Sequence, residues 1–514
     1  MTRTASTTPR APVRLLLGVL AFVERVGNRL PHPFWLFTVM AGIVVLFSAL
    51  LSALGVSAVS PVDGETVRVR SLLSAEGARV VFGDAVANFA AFPPLAVILV
   101  VMLGVSVAEA AGLLGALLRG SVTRVPARWL TFVLALTGVT GSVASDAAFV
   151  VLIPLGGLVF GAAGRSPVLG IVVAYGAVAS GYNASLLITP TDALLAALTT
   201  EAAGLVDPGY VVTALDNYYF SAASAVVLAG LITLVTEFVL VKSVGGADEG
   251  CPDAREELGS TALTDTERRG LRNTGLALVA ALALLAAALL PTGSPFRGPS
   301  GGVLDSPLVT GVAYVLGILF LVLGVVYGRT VGTLPRAKDV PDAMAAGVRD
   351  MAPVIVLFFA ASQFLAYFGW TGIGEVAAIR GAEVLDSAGV HPILLFLGMI
   401  VFSTVLNLLI TSGSAQWTLI APVFVPMFMF LDVPPETTQA VYRISDSASN
   451  VVSPMSPFFV MVLGLLQRYR RDAGIGTLIS LTLPLCLTVL AGWTLLFLGW
   501  WALDLPLGPG TPVR

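Results

Sequence analysis

GSVASDAAFVVLIP (141–154) and GSAQWTLIAPVFVP (413–426) each run from a Gly-Ser pair to a proline at the same interval, within otherwise apolar sequence. A second pattern, Ser-x-x-Asn-x5-[Ser/Thr]-Pro, follows each in the same order: Ser180 to Pro190, with Asn183 inside it, and Ser447 to Pro457, with Asn450. Gly, Ser, Asn and Pro break helices and free backbone polar groups, which lipid tolerates only where they line a wet cavity enclosed by protein. Matching interruptions in two halves of a membrane protein mark a transporter binding site.

Composition sets the class. Of 514 residues, 56% are hydrophobic and 11% charged, and the mean hydropathy is +0.92, far more apolar than a soluble domain. Many runs reach the roughly 20 apolar residues that cross a bilayer. The chain therefore reads as an all-α polytopic membrane protein. No basic tract points to nucleic acid. Two cysteines (Cys251, Cys486) and two histidines (His32, His391) exclude a disulfide scaffold and a Cys/His metal cluster. Residues 11–33 read as a retained, partly amphipathic lead-in, because Glu24 and Arg25 interrupt the apolar run and no small-residue cleavage site follows.

Crossings are expected near 35–54, 94–118, 167–200, 219–241, 272–291, 306–328, 351–370, 440–466 and 475–501. Arg119, Arg124 and Arg128 precede the apolar stretch 129–160 and Arg165 follows it. Under the positive-inside rule both ends are cytoplasmic, so 129–160 is expected to be a re-entrant hairpin turning at Gly141–Asp146. The same reasoning makes 392–431 a second hairpin, entering from the outside. About nine spans plus two hairpins in inverted repeats result: a first half over 1–241, a cytoplasmic connector over 242–271 and a second half over 272–514. The charged segment between the first two spans is long enough for a small external structure.

The chemistry is expected at the interruptions. Asp192 follows the first break, where a carboxylate at membrane depth is an ion or substrate contact or a helix cap. Arg443 and Asp446 lie three apart on one helical face. They either neutralise each other, or Arg443 takes an anionic group of the substrate while Asp446 takes a cation or proton. Trp417 is either an aromatic platform for substrate or an interface anchor. Asn407, Ser414 and Gln416 supply uncharged oxygens near the second tip, which with an acidic oxygen suit a hard monovalent cation. Asp146 is the counterpart in the first hairpin, with Ser142 and Ser145 beside it.

GNRLPHP (27–33), GSVASDAAFVVLIPL (141–155), NASLLITPTD (183–192), SGSAQWTLIAPVFVPMF (412–428) and YRISDSASNVVSPMSP (442–457) together resemble the p-aminobenzoyl-glutamate transporter (AbgT) family over essentially the whole chain. The resemblance implies a homodimeric secondary transporter of the bacterial inner membrane, with nine spans and two hairpins per protomer. Some members import p-aminobenzoyl-glutamate and others export sulfonamide antimetabolites. It also implies functional roles for Asp192, Ser414, Trp417, Arg443, Asp446, Pro435 and Pro454, and a sodium-linked role for Asn407. The chain departs from the family where Thr189-Pro190 replaces the commoner Gly-Thr.

The expected function is transport of p-aminobenzoyl-glutamate or a related aromatic carboxylate, coupled to a proton or sodium gradient. Substrate contacts are assigned to Asp192, Ser414, Trp417, Arg443, Pro435 and Pro454, and ion coupling to Asn407, Asp446, Asp192 and Asp146. A sodium ion at Asn407 and Asp446 is the candidate coupling ion, and no other cofactor is expected. The alternatives are a proton-driven antimetabolite efflux pump and a passive organic-anion channel. An enzyme is not expected, since two distant histidines allow no His-Glu-x-x-His.

Overall fold

In a bilayer an apolar run closes its own backbone hydrogen bonds by becoming a helix, and the chain follows that rule from Pro33 onward. The computed structural model describes residues 32–59, 64–122, 125–244, 262–298, 301–303, 306–471 and 473–514. The lead-in expected over 11–33 falls almost wholly outside them. The first half builds α1 (Pro33–Ala53), α2 (Pro93–Ala110), α3 (Leu130–Thr140), α4 (Asp146–Ala162), α5 (Pro167–Ser180), α6 (Pro190–Ala203) and α7 (Tyr218–Val235). The second builds α8 (Asp265–Leu289), α9 (Val312–Val331), α10 (Ala352–Trp370), α11 (Pro392–Asn407), α12 (Gly413–Met429), α13 (Pro435–Ala448), α14 (Pro457–Tyr469) and α15 (Ile475–Ala502).

Nine helical stretches among the described residues are long and apolar enough to cross a membrane. They agree with eight of the crossings expected from sequence. The ninth expected crossing, 167–200, is cut into α5 and α6 by the unwound segment 181–189. Each piece has 14 residues, short of the roughly 20 a span needs. The ninth long helix is instead Ala127–Ala144, which contains α3 and turns back at Gly141–Ser145 into α4. Ser145 makes that turn at φ 47°. The second hairpin is α11 and α12, joined by residues 408–412. Residues 435–469 are likewise split, α13 and α14 flanking a short 3-10 turn at Asn450–Val452.

The expected external structure is a two-stranded antiparallel sheet, β1 (Ser57–Val59) with β2 (Thr66–Arg68), Ala58 opposite Val67, followed by the helix Ala75–Phe82. One boundary moves. Thr264 and Glu267 form a reciprocal capping box that starts α8 at Asp265, so Arg268 and Arg269 belong to the foot of a span rather than to the connector.

Small residues let these helices approach closely. At the crossing of α2 and α9, a Cβ placed on Gly104 would stand 1.8 Å from the Gly317 carbonyl oxygen. In the first hairpin's contact with α5, a Cβ on Gly170 would lie 2.1 Å from the Gly156 oxygen. By contrast, Gly230 in α7 has open space where its Cβ would be. Gly104→Ala is expected to destabilise the protein by about 1–3 kcal/mol through overpacking, and Gly230→Ala is expected not to. Thermal unfolding of both variants in detergent checks this; equal melting temperatures would refute the close crossing.

Candidate functional site

The first break frees backbone groups that the surrounding side chains recapture. The Asn183 N–H donates to Ser447 Oγ at 3.0 Å, and the Ser185 N–H to Ser221 Oγ at 3.1 Å. The Leu186 carbonyl accepts from the Tyr218 hydroxyl at 3.1 Å. Thr189 ends the unwound stretch as the N-cap of α6, with Pro190 in its first turn. The Thr189 N–H and hydroxyl donate to Asp192 Oδ2 at 2.7 and 2.8 Å, and the Asp192 N–H donates back to Thr189 Oγ1 at 3.1 Å. The Thr189-Pro190 departure is therefore a well-formed helix start: threonine caps, and proline fixes φ where no N–H is needed.

Asp192 also reaches across to the second half. Its Oδ1 accepts a hydrogen bond from Arg443 Nη1, and both side chains are buried. Arg443 further donates to the Asn183 carbonyl at 3.4 Å. Its ionic partner is thus Asp192 rather than Asp446, one turn along α13. Removing one member of such a pair strands the other charge, at about 3–5 kcal/mol.

Asp446 turns to the first break, its Oδ2 accepting from Asn183 Nδ2 at 2.6 Å. Asn407, the last residue of α11, ties the second hairpin to the second break. Its Nδ2 donates to the Asp446 carbonyl at 2.7 Å and to Ser449 Oγ and Asn450 Oδ1, both at 2.9 Å. This leaves Asn407 Oδ1 and Asp446 Oδ1 buried without a hydrogen-bond partner. These two oxygens, on residues joined through the Asn407 side chain and the Asp446 carbonyl, are of the hard type that a monovalent cation takes.

Both tips and both breaks meet at one cavity of about 420 Å³, within the range of small-molecule sites. Asp146 and Phe149 come from the first hairpin, and Ser412, Gly413 and Ser414 from the second. The first break contributes Tyr182, Asn183 and Thr191; the second contributes Asp446, Asn450, Ser456, Pro457 and Phe458. Four helices, α4, α6, α12 and α14, begin at this wall. Their N-terminal N–H groups and dipoles favour an anion. Phe149 stacks on Phe458, centroids 3.9 Å apart and planes 7° apart, and Tyr182 packs beside Phe149 at 6.5 Å.

Other expected contacts stand away from the wall. Trp417 is fully buried, stacked on Tyr442 at 4.4 Å, and donates from Nε1 to Thr199 Oγ1 at 3.0 Å. With the Arg443–Asp192 pair it forms a packed layer behind the cavity, joining α6, α12 and α13. Pro190 and Pro435 open α6 and α13, and Pro454 sits in the turn before α14. None of these three lines the cavity. Gln416 Nε2 donates to the Ser403 carbonyl at 2.7 Å between the arms of the second hairpin. Glu237 is bound at the foot of the first hairpin, 2.8 Å from Arg165 and accepting from Thr131 at 2.6 Å.

Phe149, Tyr182 and Phe458 were not singled out from sequence. Aromatic residues are common in membrane helices, and only their adjacency to Asp146, Asn183 and Pro457 could have marked them.

Comparison with known proteins agrees with this architecture. The profile of the AbgT transporter family matches residues 18–514. The p-aminobenzoyl-glutamate transport protein of Escherichia coli K12 is 39% identical over 490 residues, 95% of this chain and 96% of that protein. The crystal structure of the YdaH transporter of Alcanivorax borkumensis, described as having an unusual topology, superposes with a TM-score of 0.86 at 41% identity, over 93% of this chain and 100% of that one. MtrF of Neisseria gonorrhoeae, described as illuminating a class of antimetabolite efflux pumps, gives a TM-score of 0.91 at 38% identity, over 96% of this chain and 100% of that one. Two hairpins, two broken helices and a family match over nearly the whole length lead to one conclusion: this chain belongs to the AbgT transporter family.

Proposed function

We propose that this membrane transporter carries p-aminobenzoyl-glutamate or a closely related aromatic carboxylate, driven by a sodium or proton gradient, in the bacterial inner membrane. The observation that carries the proposal is the meeting of four helix N-termini with the Phe149–Phe458 stack around one cavity. N-terminal dipoles suit carboxylates, and the aromatic wall suits a benzoyl ring. The same substrate class is named for the 39%-identical Escherichia coli protein.

In this reading Ser414 and the N–H groups at the helix starts hold the carboxylates, while Phe149, Tyr182 and Phe458 hold the ring. Trp417, Arg443 and Asp192 shape the site from behind, and Pro435 and Pro454 fix where α13 and α14 begin. Asp146 and Asp446 put negative charge on the cavity wall, which opposes a dianion until a cation or proton arrives. Sodium at Asn407 and Asp446 neutralises one carboxylate and joins the second hairpin to the second break. A cation that stabilises one conformation more than the other supplies the coupling. The homodimer implied by the family resemblance belongs to the same proposal.

The likeness to MtrF favours a second reading, export of antimetabolites through the same cavity; the side to which substrate moves under a fixed gradient separates the two. A passive channel would carry flux without saturation or counterflow.

Radiolabelled p-aminobenzoyl-glutamate in proteoliposomes, under sodium and proton gradients imposed separately, tests the proposal. Saturable, gradient-driven uptake is expected, and Asp446→Asn should abolish the gradient's effect while the protein stays folded. Gradient-driven uptake undiminished in Asp446→Asn would remove that residue from coupling. Phe458→Ala should raise KM about 2–13-fold, the worth of one aromatic contact of ~0.5–1.5 kcal/mol. An unchanged KM would take the ring away from the Phe149–Phe458 stack.

A further inference from the structure

A second cavity, of about 400 Å³, lies on the other side of the first break. Its walls are Leu114 and Leu118 on the helix Leu113–Val122, Val133 and Leu136 on α3, and Leu186 and Leu187 on the unwound segment. The break thus has two faces. Asn183 and Tyr182 face the central cavity, whereas Leu186 and Leu187 turn outward with their backbone already satisfied, the Leu186 carbonyl by Tyr218 and the Leu187 N–H by Ser185 Oγ at 3.1 Å. Leu117 and Leu187 at the wall are about half exposed, 49% and 56%, so the cavity opens sideways rather than into the transport pathway.

Its depth in the bilayer can be read along α3. Trp129 is 53% exposed and packs edge-on against Phe132 at 6.3 Å, the placement of a residue at the headgroup level. Arg128 beside it is exposed and has no ion-pair partner among the described residues. The lining residues of α3 begin at Val133 and continue to Thr140, and the cavity ends against Gly141 and Ala144 of the hairpin tip. At about 1.5 Å per residue, the distance from Arg128 to Thr140 is ~18 Å, close to the thickness of one leaflet.

We propose that this cavity binds one phospholipid of the cytoplasmic leaflet, with an acyl chain between α3, the helix Leu113–Val122 and the unwound segment, and its phosphate at Arg128. The chain's end would then pack against the tip of the first hairpin and the apolar back of the first break, the two elements whose other faces line the central cavity. A lateral, almost wholly apolar space that begins at Val133, with the exposed, unpaired Arg128 five residues before it toward the headgroups, suits an acyl chain in the cavity and its phosphate at Arg128. This inference does not depend on the transported substrate.

Titration of delipidated protein in detergent with phosphatidylglycerol, followed by native mass spectrometry, tests it. Wild type should fill one site before any other. Leu136→Trp, which fills the cavity, should abolish that first binding event, and Leu284→Trp on the exposed face of α8 should not. Arg128→Gln, an exposed change, should weaken phosphatidylglycerol about fivefold, the worth of one interfacial cation of ~1 kcal/mol. A first phosphatidylglycerol held equally by wild type, Leu136→Trp and Leu284→Trp would overturn the site. If Leu136→Trp does not fold, equal phosphatidylglycerol affinity in Arg128→Gln and wild type would overturn the proposal alone.

Discussion

An unwound backbone at bilayer depth has no water to turn to, and this constraint organises the molecule. Each group left without a helical partner in 181–189 has to be met from inside the protein. Ser447, Ser221, Tyr218, Asp192 and Arg443 meet them, drawn from α13, α7 and α6. The donors and acceptors that make the break tolerable thereby fasten the first half of the chain to the second. Within the second half, Asn407 meets the second break, holding the Asp446 carbonyl, Ser449 and Asn450. The polar residues that look like a binding site in sequence are in large part the cost of having a site there at all.

That division of labour separates two roles for charge. The Arg443–Asp192 pair is consumed in joining the halves, with a second Asp192 oxygen committed to Thr189. Asp446 and Asn407 each keep one buried oxygen without a hydrogen bond, and it is on these that the proposed cation would act. Helix N-termini then supply positive potential where, among the described residues, no basic side chain lines the cavity. A cation and an anion held together at such a site would reinforce each other, which is what the proposed coupling requires.

Much of this architecture is legible in the sequence because lipid makes the grammar strict. The two Gly-Ser tips, the breaks after Ser180 and Ser447, and the arginines flanking 129–160 place the hairpins and broken helices to within a few residues. What the sequence leaves open is the direction in which side chains point. Arg443 and Asp446 share a helical face and could have paired, but Asp192 and Asn183 approach from the other half and take one each. Trp417, conspicuous beside a hairpin tip, spends its ring on Tyr442 and its N–H on Thr199. Phe149 and Phe458 lie more than 300 positions apart in sequence, and only folding reveals them as a stack. The helix α8 begins seven residues before the crossing expected from 272, because Thr264 and Glu267 cap it and its first turns are charged.

The central claim is that both breaks and both tips serve a single cavity, and protection of paired cysteines tests it most directly. On a chain lacking Cys251 and Cys486, Thr191→Cys and Ser412→Cys report from the first break and the second hairpin, both on the cavity wall. The same transported substrate should slow thiol modification at both positions with the same half-effective concentration. Protection at one position with undiminished modification at the other would mean that the two halves do not share a binding site.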